Sequence, residues 1–231
     1  GGPAHRAMLR LGLAGHEESR TARRTLVLVA VAWLPLLVMT AWQGTALGGV
    51  ALPFLQDWLL NTRLLVALPI LVAAEPMLGS WVSAAVRQLV GAGIVREGDL
   101  PRYAEVVRRS AAWRDSRLAE ALLLGLAFSR AVPLVRNTLL SGVENWRITP
   151  TLFSTSLSAA GWWNALVSTP LLQFLIYRWG WRFLIWCLFL WRTSRLDLRL
   201  TPIHPDGSAG LGFLKVVQAR FGVLIFALSA I

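Results

Sequence analysis

Eighteen consecutive residues, 25–42 (TLVLVAVAWLPLLVMTAW), carry no charge. A helix needs about 20 largely apolar residues to cross a hydrocarbon layer of about 30 Å, so this run is read as a first membrane span. Arg23 and Arg24 precede it, as basic residues precede a cleaved or twin-arginine signal. Its apolar core is too long for such a signal, and no clear small-x-small site follows. Composition points the same way: 55% of the 231 residues are hydrophobic and twelve are tryptophan, more apolar surface than one soluble core needs.

Further apolar stretches repeat the pattern. Residues 64–84 (LLVALPILVAAEPMLGSWVSA) form a second span, in which Pro76 lacks an amide hydrogen and is expected to kink the helix and free a carbonyl. Residues 118–140 form a third, carrying Glu120 near its start, Arg130 near its centre and Arg136 towards its end. Residues 164–191 form a fourth, bracketed by Trp162, Trp163 and Trp191 as interfacial aromatics bracket a span. A fifth begins near Ala219. The expected fold class is all-α: a polytopic transmembrane helix bundle, four complete spans plus the start of a fifth, behind a tail of residues 1–24. The segment 43–60 is too polar at its end to span and too apolar to float free, so it is expected to be interfacial or re-entrant. The chain begins without methionine and stops inside an apolar run, so it reads as a fragment with further helices beyond it. No repeat of 20 to 50 residues is evident.

The net charge of +11 comes from 22 arginines and one lysine against twelve acids. The arginines fall in blocks beside the apolar runs: five in residues 1–24, seven in 85–117, and four with Lys215 in 192–220. Cytoplasmic flanks of membrane helices look like this, so the charge is read as topology and not as a nucleic-acid footprint. The N-terminus, the basic loop 85–117 and the loop 192–218 are expected in the cytoplasm. The partners expected are the bilayer and, at residues 87–117, anionic lipid headgroups; nucleic acid is not expected, and a homo-oligomer is compatible with the sequence. Asp99 before Leu100-Pro101 reads as a helix N-cap, and the basic helix that follows is expected to lie along the membrane surface. Cys187 is the sole cysteine and sits in an apolar run, which excludes an intrachain disulfide. No metal site and no cofactor are expected.

Glu75, Arg130 and Arg178 are predicted to lie close to the midplane at similar depth, with Arg182 one helical turn from Arg178 on the same face. Each charge would cost about 2.5–3.5 kcal/mol facing lipid at a helix centre. They must therefore face one another or water. One reading is a midplane site for an anion, with the arginines as binders and Glu75 as counter-ion or proton carrier. The other is a static salt-bridge cluster that fixes helix register.

The connector TPIHPDGSAGLGFL, residues 201–214, holds a histidine, an aspartate and three glycines. His204 and Asp206 alone leave too few ligands for a metal and no nucleophile for catalysis. The glycine spacing matches neither dinucleotide-binding nor P-loop patterns. His-Pro-Asp is also the tripeptide of J-domain loops, but Pro202 breaks the approaching helix and an apolar run follows at once. A glycine-shaped turn is chemically sufficient.

Three segments, RLLVALPILVAAEP (63–76), WRDSRLAEALLL (113–124) and LRLTPIHPDGSAGLGFL (198–214), resemble a family of bacterial multi-pass inner-membrane proteins without assigned function. In that family the last motif reads closer to HPD-x-x-GGLGFL, so Ala209 here occupies the first of two paired glycine positions. The resemblance implies location and a multi-helix fold, with no substrate or activity. Its motifs also pick out Asp115, Glu120, His204 and Asp206, which would form a polar assembly at the cytoplasmic face that binds a cation or headgroup. The leading functional expectation is a small-solute or ion pathway of transporter type. The alternatives are a non-transporting scaffold, sensor or assembly factor, and, third, a membrane-embedded enzyme acting on a lipid.

Overall fold

A computed structural model describes residues 17–141, 143–150, 155–201 and 205–229. Its long helices are α1 (Glu17–Trp42), α3 (Leu68–Gly91), α4 (Leu100–Arg114), α5 (Arg117–Ser129), α6 (Ala131–Leu140), α8 (Thr169–Thr193) and α9 (Phe213–Ser229). Two one-turn helices, α2 (Trp58–Thr62) and α7 (Ala159–Trp163), lead into α3 and α8 through π-helical turns. Two short antiparallel strands, β1 (Ile148–Pro150) and β2 (Thr155–Leu157), are an addition to the all-α expectation, with Thr149 opposite Ser156.

Three continuous helical stretches, Arg20–Trp42, Trp58–Gly91 and Arg117–Leu140, are long and apolar enough to cross a membrane. The stretch expected at 164–191 is helical but does not join them. Four tryptophans and three arginines inside α8 dilute its apolar character. The third stretch breaks at Arg130 into α5 and α6. Its outer face is strongly exposed, with Leu118, Leu122 and Val132 at 65–71%. Such a face needs lipid or another helix to cover it.

Proline dictates how the helices dock. Pro35 inside α1 has no amide hydrogen to give the Val31 carbonyl, and the Trp163 indole donates to that oxygen at 3.1 Å. The neighbouring Ala32 carbonyl accepts from the Ser168 hydroxyl at 2.6 Å. A gap in one helix ladder thus becomes the anchor for the α7–α8 segment. The two π turns, Arg63–Ala67 and Asn164–Ser168, each end one residue before a Leu-Pro or Thr-Pro pair. A widened turn makes room for the proline ring that would otherwise strike the carbonyl four residues back. The α-helix continues through Pro76; the interruption of this stretch lies at the π turn before Pro69. The Leu71 carbonyl, one turn before Glu75, accepts from the Trp179 indole at 2.9 Å.

The basic helix α4 packs lengthwise on α8 and is not a separate surface helix. Tyr103 meets Phe189 at 6.1 Å and, ten residues on, Trp113 stacks on Trp181 at 6.1 Å. The Tyr103 hydroxyl donates to the Val86 carbonyl at 2.7 Å, and burial pushes its pKa up to about 12. Asp99 does stand at the N-cap position of α4, but its carboxylate serves a different loop, accepting from the Asp197 amide at 2.7 Å. At the other end of the bundle, residues 43–57 fold back over the helices. There Phe54 is fully buried between Trp33 and Trp146, which makes the segment read as interfacial or re-entrant a packed cap.

Gly161 marks the tightest point of this cap. A Cβ there would collide with the carbonyl oxygen of Arg147 and reach Leu157 at 3.0 Å. Alanine normally improves a helix by about 1 kcal/mol over glycine. Here the neighbour is backbone that cannot swing away, so overpacking dominates. Gly161→Ala is expected to lower stability by about 2 kcal/mol, read as a shift of the unfolding transition in mixed micelles.

Candidate functional site

Two cavities lie at different depths along α8, and each has a buried carboxylate nearby. At the arginine-rich end, Glu75 Oε1 accepts from Arg178 Nη2 at 2.9 Å and from Arg182 Nη2 at 2.6 Å, while Arg24 Nη2 lies 3.5 Å from Oε2. The spacing of four residues on α8 puts both guanidiniums on one face, as the sequence predicts. Arg24 was not expected here. It immediately precedes the charge-free run of α1, so it sets the depth of Glu75: about 27 Å of helix separates Arg24 from Trp42 at 1.5 Å per residue. Glu75 and Arg178 therefore meet α1 at the start of its charge-free run, level with Arg24.

Arg130 is elsewhere. It sits at the break between α5 and α6, midway along the third apolar stretch, and lines a cavity of about 500 Å³ with Arg63, Arg147, Asn137, Asn164 and Gln173. Gln173 precedes Arg178 by five residues, and Leu64, also on this cavity, precedes Glu75 by eleven. At 1.5 Å per residue, Arg130 is about 8–16 Å further along the bundle than Glu75. The expected grouping of Glu75, Arg130 and Arg178 at similar depth is thus corrected. Two members meet and the third does not.

The Arg130 cavity mixes polar side chains with Leu60, Leu64, Pro133, Leu134 and Leu172. Thr138, Ser141, Ser168 and Thr169 add hydroxyls to its amides and guanidiniums, and no carboxylate lines it. Asp57 stands just behind: Oδ1 caps α2 through the Leu60 amide, and Oδ2 accepts from Arg147 Nη2 at 2.6 Å and from the Trp146 indole at 3.2 Å. Burial holds the Arg147 guanidinium below its usual pKa, with Asp57 acting against that shift. Arg147 Nε is buried without a hydrogen-bond partner. Among the described residues Arg130 forms no ion pair.

The assembly expected from Asp115, Glu120, His204 and Asp206 falls partly outside the described residues. Asp115 accepts from the Arg114 guanidinium at 3.2 Å, and Glu120 lies in the first turn of α5, where a carboxylate complements the helix dipole. His204 lies outside the described residues. Asp206 organises its own loop: its two oxygens accept from the amides of Ser208, Gly210 and Gly212 at 2.8, 3.2 and 2.7 Å. A Cβ at Gly212 would sit 2.8 Å from that carboxylate, which is why glycine stands there. Among the described residues no cluster of three His, Cys, Asp or Glu side chains could hold a metal ion.

Ala209 has φ +54°, in the left-handed region. That conformation costs an L-residue about 1–2 kcal/mol, whereas glycine gives back about 0.5–1 kcal/mol in lost chain entropy. Ala209→Gly is expected to raise the thermal unfolding midpoint, a net gain of about 0.5–1 kcal/mol.

Sequence reasoning missed Arg24, Asp57, Arg63, Arg147 and Asn164. The signal for Asp57 was present: an acid among apolar residues directly before a helix. Its partner Arg147, ninety residues away in the chain, had none. No family model, no curated protein and no solved structure matches this chain.

Proposed function

We propose that this chain is an integral membrane protein of the bacterial inner membrane that binds small anions in the Arg130 cavity and passes them across the bilayer. The arginine-rich end then faces the cytoplasm by the positive-inside rule. One observation carries the reading: a guanidinium with no ion pair among the described residues, at the break midway along an apolar helical stretch, lining a cavity of about 500 Å³ with further arginines and side-chain amides. An ionisable group at such a depth is costly unless it meets water or a counter-charge. Arg63 and Arg147 add positive charge on the same cavity, and the amides of Asn137, Asn164 and Gln173 supply donors that suit the oxygens of a phosphate or carboxylate.

In this reading the Glu75 cluster is the clamp that fixes α1, α3 and α8 in register. The test is uptake of radiolabelled inorganic phosphate, and separately of chloride by a fluorescent indicator, into proteoliposomes. Saturable uptake of at least one anion above protein-free vesicles is expected. Vesicles no more permeable than lipid alone to either ion, with correctly folded protein, would remove the reading and favour a scaffold.

A further inference from the structure

The other cavity, at the arginine-rich end, has a different chemistry and does not depend on the pathway reading. It encloses about 510 Å³, within the range of small-molecule sites. Its charged floor combines Arg24 and Arg182 with Glu75, and Arg114 and Arg87 add two further cations along its wall. Three guanidiniums converge on the single Glu75 carboxylate, so the cluster keeps a positive surplus. Among the described residues Arg24 Nε is buried without an acceptor, at the cavity's edge.

Beyond that floor the lining changes to Val82, Val86, Trp186, Phe189 and Phe221. Free phosphate would use only the charged part and leave this apolar wall wet. A neutral hydrocarbon would leave the cations unmatched. We propose that this cavity binds an amphipathic organic anion, its carboxylate or phosphate on Arg24, Arg114 and Arg182 and its apolar body along the valine and aromatic wall. An acyl or aromatic acid and the anionic head of a single-chain lipid share this chemistry.

The experiment is equilibrium binding of tritiated decanoate to the protein in phosphatidylcholine nanodiscs, corrected with empty discs. Decanoate is expected to bind at one saturable site, with decanol and inorganic phosphate each at least about tenfold weaker. Arg114→Gln is expected to weaken decanoate about tenfold. Gly79 lines the cavity, and a Cβ there meets nothing within 4 Å, so the side chain of Gly79→Leu starts into open space and is expected to block binding with the unfolding midpoint intact. Competition by phosphatidylglycerol added to the disc assigns the natural anion to the lipid; undiminished decanoate binding assigns it to the soluble phase, and either result supports the site. Equal affinity for decanoate and decanol, or decanoate binding untouched in both variants, overturns it. Anion flux through the Arg130 cavity can persist in that case, so the two readings fail separately.

Discussion

Glu75→Gln is expected to destabilise the protein by about 3 kcal/mol or more, the largest loss of any single polar substitution in the bundle. The variant keeps the size of the side chain and removes the one negative charge that faces Arg24, Arg178 and Arg182. Breaking a buried ion pair from one side leaves the partner charge uncompensated, at a cost of about 3–5 kcal/mol. Here three partners are left together, and their mutual repulsion adds to the loss. The measurement is the unfolding transition in mixed micelles titrated with sodium dodecyl sulfate. A second variant separates charge from packing: with Arg24→Gln added to Glu75→Gln, part of the loss should return, because one surplus cation is gone. If Glu75→Gln unfolds like the parent protein, the cluster does not clamp the three helices.

Arg130→Gln is expected to behave in the opposite way. Arg130 is exposed, lines its cavity and forms no ion pair among the described residues, so no described partner is stranded when it goes. A charge at the middle of an apolar helix costs about 2.5–3.5 kcal/mol, and its removal should leave stability unchanged or raise it. Anion uptake should fall at least tenfold, because the remaining cations do not stand at the helix break: Arg147 is committed to Asp57 and Arg63 belongs to the π turn before α3. Arg130→Lys keeps the charge but loses the planar fork that grips two oxygens at once, so an intermediate rate is expected. Initial uptake rates against anion concentration in proteoliposomes decide this. An Arg130→Gln protein that transports at the parental rate excludes Arg130 from the path.

The arginine excess now has a structural reading. Arg147 lies over Trp146, Arg182 over Trp179, Arg192 over Trp113 and Arg220 over Trp81, with ring distances of 4.3–5.3 Å. A guanidinium stacks on an aromatic face and still donates in its plane, which a lysine ammonium does not do as well. In a chain with twelve tryptophans, arginine therefore suits these positions better than lysine.

Local chemistry was legible in the chain. The charge-free run after Arg24, the apolar stretches around Pro69 and at 118–140, the one-turn spacing of Arg178 and Arg182, and the glycine-shaped connector around Asp206 all follow from nearest-neighbour physics. So does the need for Glu75 to find a cation. Which cations it finds is a different kind of fact. Arg24 and Arg178 reach it from helices more than a hundred residues apart in sequence, and Arg130 is withheld because α5 meets α8 at a different height. Hydropathy and spacing set what each segment must bury. They carry no information on the relative shift of two packed helices, which here depends on carbonyls freed at Pro35, on the π turns before Pro69 and Pro170, and on which side chains reach them. The apolar class of this protein was therefore written in its sequence, whereas the separation of its arginines into a clamp and two cavities arose only from helix packing, because depth along a neighbour is a tertiary coordinate.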